Sequence, residues 1–348
     1  MVCMISLQKG FEKLQKLYCP RLEHFVRFNA NGSIGKCGHM VGSPTFSSWE
    51  EMENSSWLGS VKSQMSNNQW PLECRRCQKT EETEQPHSIR LNSIERDKLL
   101  SFIRKDYLIL GGVLDNICNS ACQTCSARLS TKIGSLTSNN YIKVDNSKLF
   151  KQIPRDRIVE LDLNGGEPTA SPAYQQILAN LPDHVKVLRV NTNGSKVLPH
   201  LTDILKRNIT VIITLSLDGV GQVHDYVRWP IKWTRYTKIV DQYNHLKSEY
   251  KNLKLQAWTT VSALNVKDFD NITTYARNVG LDHDWAFLTS PIALDPTFTN
   301  SLTQSAKNNL QNQDIVKHIA TQDCNQIELD NYINKQDTLR NISIKDYL

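Results

Sequence analysis

The sequence predicts an α/β fold with a parallel sheet. From about Tyr107 onward, apolar β-rich runs alternate with amphipathic helical stretches. Strands that alternate with helices in this way form βα units with right-handed crossovers, and therefore a parallel sheet. Polar residues also recur at period two near the ends of several of these strands. Both observations favour an open or partly closed barrel of βα units around a polar lumen.

The strands and helices of this fold follow one another along the chain. The predicted strands are Tyr107–Val113, Ile158–Leu163, Val185–Val190, Thr210–Leu217, Lys254–Val261 and Trp285–Leu288. The helices predicted between them are Tyr174–Leu181, Leu198–Arg207, Tyr236–Tyr250 and Phe269–Val279. From about Asn300 the chain is polar and mainly helical, which predicts an extension packed against the outside or the mouth of the barrel.

Four of the predicted strands carry a polar face. Their residues at period two are Glu160, Asp162 and Asn164, then Arg189, Asn191 and Asn193, then Thr214, Ser216 and Asp218, then Gln256, Trp258 and Thr260. Period two places each set on one face of its strand, whereas strands buried on both faces read as continuous apolar runs. Strand ends are also polar simply because they meet loops. Four strands with the same habit predict one shared lumen.

Residues 1–106 have a different character, rich in Asn, Ser, Trp and Glu. The helices predicted there are Phe11–Leu17, Ser48–Met65 and Ser93–Arg104. A core this loose would gain from a metal site. We therefore expect a small N-terminal module at 1–106, a barrel at 107–292 and a helical extension at 293–348.

Composition bounds the function. The chain has 348 residues, 39% hydrophobic and 22% charged, with a net charge of +6 spread along its length. The absence of a basic arm or stripe argues against nucleic-acid binding. No apolar run approaches the ~18 residues that a membrane span needs, and the N-terminus turns charged too soon for a secretory signal. We expect a cytoplasmic protein.

Seven of the nine cysteines fall into two groups. In a reducing cytosol such groups are metal ligands or redox groups more often than disulfides. Cys118, Cys122 and Cys125 follow the first predicted strand directly, and three thiolates leave one coordination position open. A zinc site or a chance cluster of core thiols is the alternative. Cys3 and Cys324 are interpreted as plain thiols.

A second motif lies one βα unit later. Gly165, Gly166, Glu167 and Pro168 stand at the end of the next strand. Paired glycines allow a ligand to approach the backbone closely, and a carboxylate accepts hydrogen bonds from an ammonium group. On its own the motif is weak, because turns use these residues freely, but its position makes a shared ligand site the better interpretation.

These motifs together resemble the radical S-adenosylmethionine (SAM) superfamily. The resemblance spans roughly Tyr107 to Pro291 and includes Asn-Thr-Asn-Gly from Asn191 and Ser-Leu-Asp-Gly from Ser216. It implies a partial (β/α)6 barrel and a [4Fe–4S] cluster on the three cysteines of the first motif, with SAM bound to the fourth iron.

The same resemblance implies which residues bind SAM. Gly165, Gly166 and Glu167, with the adjacent Pro168, would bind the methionine amine. Asn193 would belong to the cofactor site through the third motif. Ser216 and Asp218 would contact the methionine carboxylate and ribose, and Arg228 is a carboxylate partner or a surface arginine. No residue is assigned as general acid or base.

The second cysteine group consists of Cys19, Cys37, Cys74 and Cys77. Four thiolates complete either a structural zinc site or a fully ligated iron–sulfur cluster, which spacing does not separate. The pattern resembles the Twitch module, a shortened SPASM module that holds an auxiliary cluster in radical SAM enzymes. It departs from that module in preceding the barrel. The resemblance implies a second [4Fe–4S] cluster.

The resemblance also implies the reaction. An electron from a flavodoxin or ferredoxin would cleave SAM to a 5′-deoxyadenosyl radical that abstracts hydrogen from the substrate. The leading hypothesis is an oxidative modification of a peptide or protein, and the alternative is dehydrogenation of a sugar-like small molecule. Two hypotheses of other classes are a non-catalytic iron–sulfur electron carrier and a zinc-stapled nucleic-acid binder.

Overall fold

The computed structural model describes residues 17–83, 88–137 and 141–347. The described residues divide into two compact units, one lying within the ranges 17–27 and 33–108 and the other within 28–32 and 109–347. Residues 293–348, expected as an extension, group with the second unit. Cys3 and the predicted helix Phe11–Leu17, except for Leu17, lie outside the described residues.

The first unit is built of short helices. In chain order its elements are α1 (Pro20–His24), β1 (Phe25–Phe28), β2 (Ile34–Gly35), α2 (Trp49–Glu53), α3 (Ser56–Ser66), a 3-10 turn (Leu72–Cys74), α4 (Arg75–Glu82) and α5 (Ile89–Ile103). The prediction of one helix over Ser48–Met65 is wrong. Ser48 accepts a hydrogen bond from the Glu51 amide and Ser55 one from the Leu58 amide, so a second N-cap starts a new helix.

The core of the first unit forms around α3. Leu22, Leu58, Val61 and Met65 are buried together. Trp57, Trp70, Cys19 and Cys74 pack against this cluster. Two of the predicted ligand cysteines therefore lie at the edge of an apolar core.

The second unit alternates strands and helices. In chain order it continues with β3 (Leu108–Val113), α6 (Thr131–Thr137), α7 (Ser147–Phe150), β4 (Ile158–Asn164), α8 (Pro172–Ala179), β5 (Val187–Thr192), α9 (Leu201–Lys206), β6 (Thr210–Ser216), α10 (Gln222–Val227), α11 (Trp233–Glu249), β7 (Leu253–Val261), α12 (Phe269–Asn278) and β8 (Asp282–Phe287). The remaining elements are β9 (Phe298–Thr299), α13 (Ser301–Asn309), α14 (Gln313–Val316), β10 (Gln322–Cys324) and α15 (Gln326–Arg340). The predicted alternation is confirmed.

The strand order determines where a ligand can lie. From β3 to β8 the strands follow one another in sequence order, and each neighbouring pair from β4 to β8 is parallel. Right-handed crossovers that always advance in one direction put the connecting helices on the same face of the sheet. The other face is left for a lumen, and the carboxyl ends of the strands gather at one edge.

Alternation along β7 separates the two faces. Leu253, Leu255, Ala257 and Val261 are buried, whereas Trp258 on the opposite face is 39% exposed. Successive side chains of a strand point to opposite faces. The apolar residues therefore face the helices, and the polar set that includes Trp258 faces the lumen. In the described part of the chain, no helix is long and apolar enough to cross a bilayer.

Candidate cofactor site

The loop with three cysteines follows β3 and is held from both sides by backbone hydrogen bonds. The Ala121 amide donates to the Trp229 carbonyl at 2.8 Å, and the Gln123 amide donates to the Val227 carbonyl at 2.9 Å. Cys118 is fixed at the start of the loop, where its amide donates to Thr131 Oγ1 at 3.1 Å. These bonds tie the loop to the segment that follows α10.

The last helix of the chain holds the same loop by its carbonyl groups. Arg340 Nε donates to the Ala121 carbonyl at 2.8 Å and its Nη2 to the Cys122 carbonyl at 3.3 Å. Tyr332 Oη donates to the Gln123 carbonyl at 2.8 Å. The loop's three central carbonyls are therefore paired with side chains of α15, a contact that the sequence analysis missed.

The two glycines after β4 are required by the protein itself. Gly166 has φ +50°, and a Cβ there would stand 2.6 Å from the Ile117 carbonyl oxygen. A Cβ on Gly165, at φ +79°, would meet the Val113 side chain. Glycine adopts this region without penalty. The absent side chains thus make room for β3 and the cysteine loop, while the glycine backbone lines the cavity described below.

Glu167 links the turn after β4 to the end of β5. The residue is 1% exposed, and its Oε1 accepts hydrogen bonds from the Thr169 amide, Thr169 Oγ1 and Thr192 Oγ1. Its Oε2 accepts one, from the Asn193 amide at 2.7 Å. A carboxylate oxygen has two lone pairs. Oε2 therefore retains acceptor capacity for a ligand.

Asn193 connects the third motif to the cysteine loop. Its Nδ2 donates to Asn119 Oδ1 at 2.8 Å and to Ser120 Oγ at 2.7 Å. Its Oδ1 accepts from the Ser195 amide at 3.0 Å. Every polar atom of this side chain is used within the protein, so the residue positions the cysteine loop.

Asp218 and Arg228 form a buried ion pair. Arg228 Nη1 lies 2.9 Å from Asp218 Oδ2, with side-chain exposures of 12% and 3%. Burial acts to lower the pKa of Arg228, but the charges of Cys122 and Asp218 outweigh it and raise that pKa. Arg228 Nε is buried and has no partner among the described residues. The guanidinium therefore keeps one donor for an anionic ligand group.

The motifs meet at one cavity of about 350 Å³. Its walls include Cys118, Cys122, Cys125, Gly165, Gly166, Glu167, Asn193, Ser216, Asp218 and Arg228. Small-molecule sites have volumes of roughly 300–1,000 Å³. Every candidate of the cysteine loop and the strand ends lines this cavity, except Pro168, which is buried beside it in sequence. The donor set fits a cluster with one open iron: three thiols, a carboxylate oxygen with spare capacity and an unpartnered guanidinium nitrogen.

A second cavity, of about 530 Å³, lies along the lumen face of β5 to β8. Its walls are Asn191, Thr214, Ser216, Gln256, Ala257, Trp258, Asp282, His283 and Asp284. Asn191 and Ser216 line both cavities, so the two cavities adjoin each other. The predicted polar lumen is therefore confirmed for β5, β6 and β7. In β4, Glu160 accepts from Arg189 Nε at 2.6 Å.

The four cysteines of the first unit also meet. Cys19, Cys37, Cys74 and Cys77 line a cavity of about 20 Å³, together with side chains that include Met40, Met65 and Trp70. The Cys37 sulfur accepts a hydrogen bond from the His39 amide at 3.4 Å. Cys74 and Cys77 stand at the N-terminus of α4.

Burial raises the pKa of five cysteines, three in the loop after β3 and two in the first unit. It raises the pKa of Cys118 to about 12 and that of Cys125 to about 11, and it also raises the pKa of Cys122. Burial likewise raises the pKa of Cys19 and of Cys74 to about 12, with neighbouring cysteines adding to it. Iron ligands are thiolates, so the positive charge of bound iron would have to offset this burial.

Within residues 17–83, 88–137 and 141–347, no three His, Cys, Asp or Glu side chains are gathered so as to hold one metal ion. A cubane cluster instead distributes its thiolates over different irons.

The sequence did not reveal every wall of these cavities. Asp282 and Asp284 were missed because their strand was expected to begin at Trp285. The sequence signal for this earlier start is the alternation along β8, where Asp282, Asp284 and Ala286 lie on one face and His283, Trp285 and Phe287 on the other.

Comparisons with known proteins follow the same part of the chain. Mycofactocin maturase MftC of Mycobacterium tuberculosis is 22% identical over 164 residues, which are 47% of this chain and 40% of the relative. The protein of the same name from Mycobacterium ulcerans is 26% identical over 165 residues, 47% of this chain and 42% of the relative. The match thus spans about two fifths of the length of these curated relatives. They support the resemblance to the radical SAM superfamily.

No family model matches the chain. Among solved structures, Streptococcus suis SuiB bound to S-adenosylmethionine has a TM-score of 0.41 and 12% identity, covering 92% of this chain and 71% of that one. Native anSMEcpe with bound AdoMet has a TM-score of 0.40 and 15% identity, covering 55% of this chain and 53% of that one.

Proposed function

We propose that this chain is a radical SAM enzyme that carries out an oxidative modification of a peptide or protein. The observation that carries the proposal is the meeting of three cysteines with the motifs of three further strand ends around one cavity of about 350 Å³. Chance thiols in a core have no reason to share a cavity with these motifs. The curated relatives, which are mycofactocin maturases, support the same reaction class.

The residues of this cavity have distinct roles in the proposal. Cys118, Cys122 and Cys125 hold a [4Fe–4S] cluster. Glu167 Oε2 accepts a hydrogen bond from the methionine amine of SAM, and Arg228 Nε donates to an anionic group. When bound and supplied with one electron, the cluster and SAM provide the 5′-deoxyadenosyl radical chemistry. The protein positions the reacting groups and excludes water.

The substrate enters the lumen cavity beside the cofactor. That cavity of about 530 Å³ shares Asn191 and Ser216 with the cofactor cavity, so a substrate in it stands next to SAM. Trp258 offers an indole face, which suits the side chains of a peptide. A peptide is favoured over a sugar-like molecule because the curated relatives are maturases.

The first unit is proposed to be a Twitch-like module with a second [4Fe–4S] cluster. Its four cysteines line one cavity, which supports a fully ligated site. The proposal includes a partial (β/α)6 barrel, a flavodoxin or ferredoxin as reductant and a cytoplasmic location. Cys19, Cys37, Cys74 and Cys77 would hold this cluster, which would supply a one-electron redox centre.

The test is anaerobic reconstitution with iron and sulfide, followed by SAM and dithionite. We expect 5′-deoxyadenosine from the wild-type chain and a fall to background in Cys122→Ala. In that variant only two of the three thiolates remain, which is too few to hold the cluster with its open iron. Cys324→Ala, which removes an exposed thiol, is the matched control. Clusters that form without any consumption of SAM would instead favour the non-catalytic electron carrier.

A further inference from the structure

We propose that Arg340 is a positioning residue whose unpaired positive charge raises the reduction potential of the cluster held by Cys118, Cys122 and Cys125. The inference rests on the proposed function, because it requires that cluster. Its basis is the arrangement of α15 around the cysteine loop.

Arg340 binds two backbone carbonyl groups of the cysteine loop. Arg340 donates from Nε and Nη2 to the carbonyls of Ala121 and Cys122, at 2.8 and 3.3 Å. These carbonyls belong to the loop residues between the first and last cysteine ligands. The guanidinium therefore lies against the backbone of the loop whose cysteines would hold the cluster.

The positive charge of Arg340 is buried among neutral hydrogen-bond acceptors. Arg340 is 5% exposed, and its remaining bonds go from Nη1 to the carbonyl and Oε1 of Gln336, at 3.0 and 2.6 Å. All its acceptors are neutral, and in the part of the chain that the structure describes no carboxylate forms an ion pair with it. Asp337, three residues earlier on α15, acts on Arg340 through its charge but forms no ion pair with it, and its oxygens accept from Tyr226 Oη at 2.8 Å and from the Ile344 amide at 2.7 Å.

Arg228 provides the comparison for this unpaired charge. It also lies at the cysteine loop, but Asp218 neutralises it at 2.9 Å. A buried charge without a partner is costly and normally has a counter-ion. Three thiolates on an iron–sulfur cluster are an anionic group, and they complete the environment of Arg340 once the cluster is bound.

A positive charge beside the cysteine loop favours reduction of the cluster that the loop would hold. The oxidised cluster takes one electron from the reductant and becomes more negative, with no bond formed or broken. A fixed positive charge in a low-dielectric site stabilises the more negative state. Hydrogen bonds, net charge and solvent exposure are the features that tune cluster potentials. Arg340 would therefore make the cluster easier to reduce.

The experiment compares Arg340→Gln, which removes the charge, with Arg340→Lys, which keeps it and loses the planar fork. Reconstituted full-length protein is titrated anaerobically with dithionite and mediators, and the reduced signal that changes on SAM addition is followed by electron paramagnetic resonance. We expect the reduced-to-oxidised ratio at a fixed potential to fall about tenfold in Arg340→Gln, equivalent to about 59 mV for one electron. Arg340→Lys should stay within about twofold of wild type.

A second variant keeps the proposal testable if Arg340→Gln does not fold. Gln336→Glu places a carboxylate at the acceptor already 2.6 Å from Arg340 Nη1, so it neutralises the charge and preserves the contact. It should lower the potential in the same direction as Arg340→Gln. Arg277→Gln and Gln304→Glu, at exposed positions on other helices, are the matched controls.

The outcomes separate this inference from the proposed function. A wild-type chain whose cysteine loop binds no iron, or whose signal ignores SAM, overturns the proposed function and the inference with it. A wild-type chain with a SAM-responsive cluster whose potential is unchanged in Gln336→Glu overturns the inference alone. Equal shifts in Arg340→Lys and Arg340→Gln also overturn it, because the charge would then not be the cause.

Discussion

The two cysteine sites of this chain differ in the number of thiols and in what surrounds them. In the first unit, four cysteines close around a cavity of about 20 Å³ lined by side chains such as Met40, Met65 and Trp70. In the second unit, three cysteines line a cavity of about 350 Å³ whose walls also include the charged residues Glu167, Asp218 and Arg228. A saturated site has no room for a further ligand, whereas an unsaturated site needs it.

This difference indicates a division of labour between the sites. The four-thiol site packs against the apolar core of its unit, with Cys19 and Cys74 touching Leu22 and its neighbours. Such a position is typical of a site that stabilises a small core. The three-thiol site adjoins a lumen of about 530 Å³, where a substrate can approach. The predictions below test whether the two sites are separable.

The largest expected effect is on the four-thiol site. The double variant Cys74→Ser, Cys77→Ser should lose roughly half of the bound iron, because the proposed auxiliary cluster would lose two of its four ligands. It should also make residues 17–83 more sensitive to trypsin, since metal binding contributes to folding. Formation of 5′-deoxyadenosine should persist, because the three-thiol site is intact.

The control for that variant is Cys324→Ser, which removes an exposed thiol and should change neither iron content nor protease sensitivity. Iron and zinc are both quantified, since zinc at the four-thiol site would leave the iron content of the double variant unchanged. Loss of 5′-deoxyadenosine together with the iron would contradict a separable role for the two sites.

The sequence was informative where a site depends on local motifs and uninformative where it depends on distant contacts. Cysteine spacing and the glycine pair predicted residues that do share one cavity, because each motif follows the carboxyl end of a strand. Arg340 gave no such signal. It reaches Ala121 across 219 positions, and a lone arginine near the end of a polar helix looks like a solvated one.

Two local misreadings have physical causes as well. The break between α2 and α3 depends on the Ser55 side chain as an N-cap, which a helical pattern alone does not reveal. The glycines at 165 and 166 were interpreted as making room for a ligand, but their missing side chains make room for Val113 and Ile117. The close approach expected at these glycines therefore involves the protein's own chain, which the sequence did not indicate.

A smaller effect is expected at these glycines, and it sharpens the distinction between strain and steric clash in the three-thiol site. Gly166→Ala should destabilise the second unit by about 1–2 kcal/mol from the left-handed φ, and by a further ~1–3 kcal/mol from overpacking against Ile117. Gly280→Ala, at φ +69° with nothing within 4 Å of its Cβ, should show only the first cost. Chemical denaturation of both variants measures the difference, and equal costs would mean that the loop moves aside.

The smallest expected effect tests whether the lumen is distinct from the cofactor cavity. Trp258→Ala should raise KM for a peptide substrate roughly fivefold to tenfold, because an aromatic contact contributes about 0.5–1.5 kcal/mol beyond its buried area. Without peptide, the rate of 5′-deoxyadenosine formation should match wild type, since Trp258 does not line the three-thiol cavity. Lys254→Ala, at an exposed position on the same face of β7, should leave both rates unchanged. If Trp258→Ala slows SAM cleavage in the absence of peptide as much as it weakens peptide binding, the two cavities act as one site.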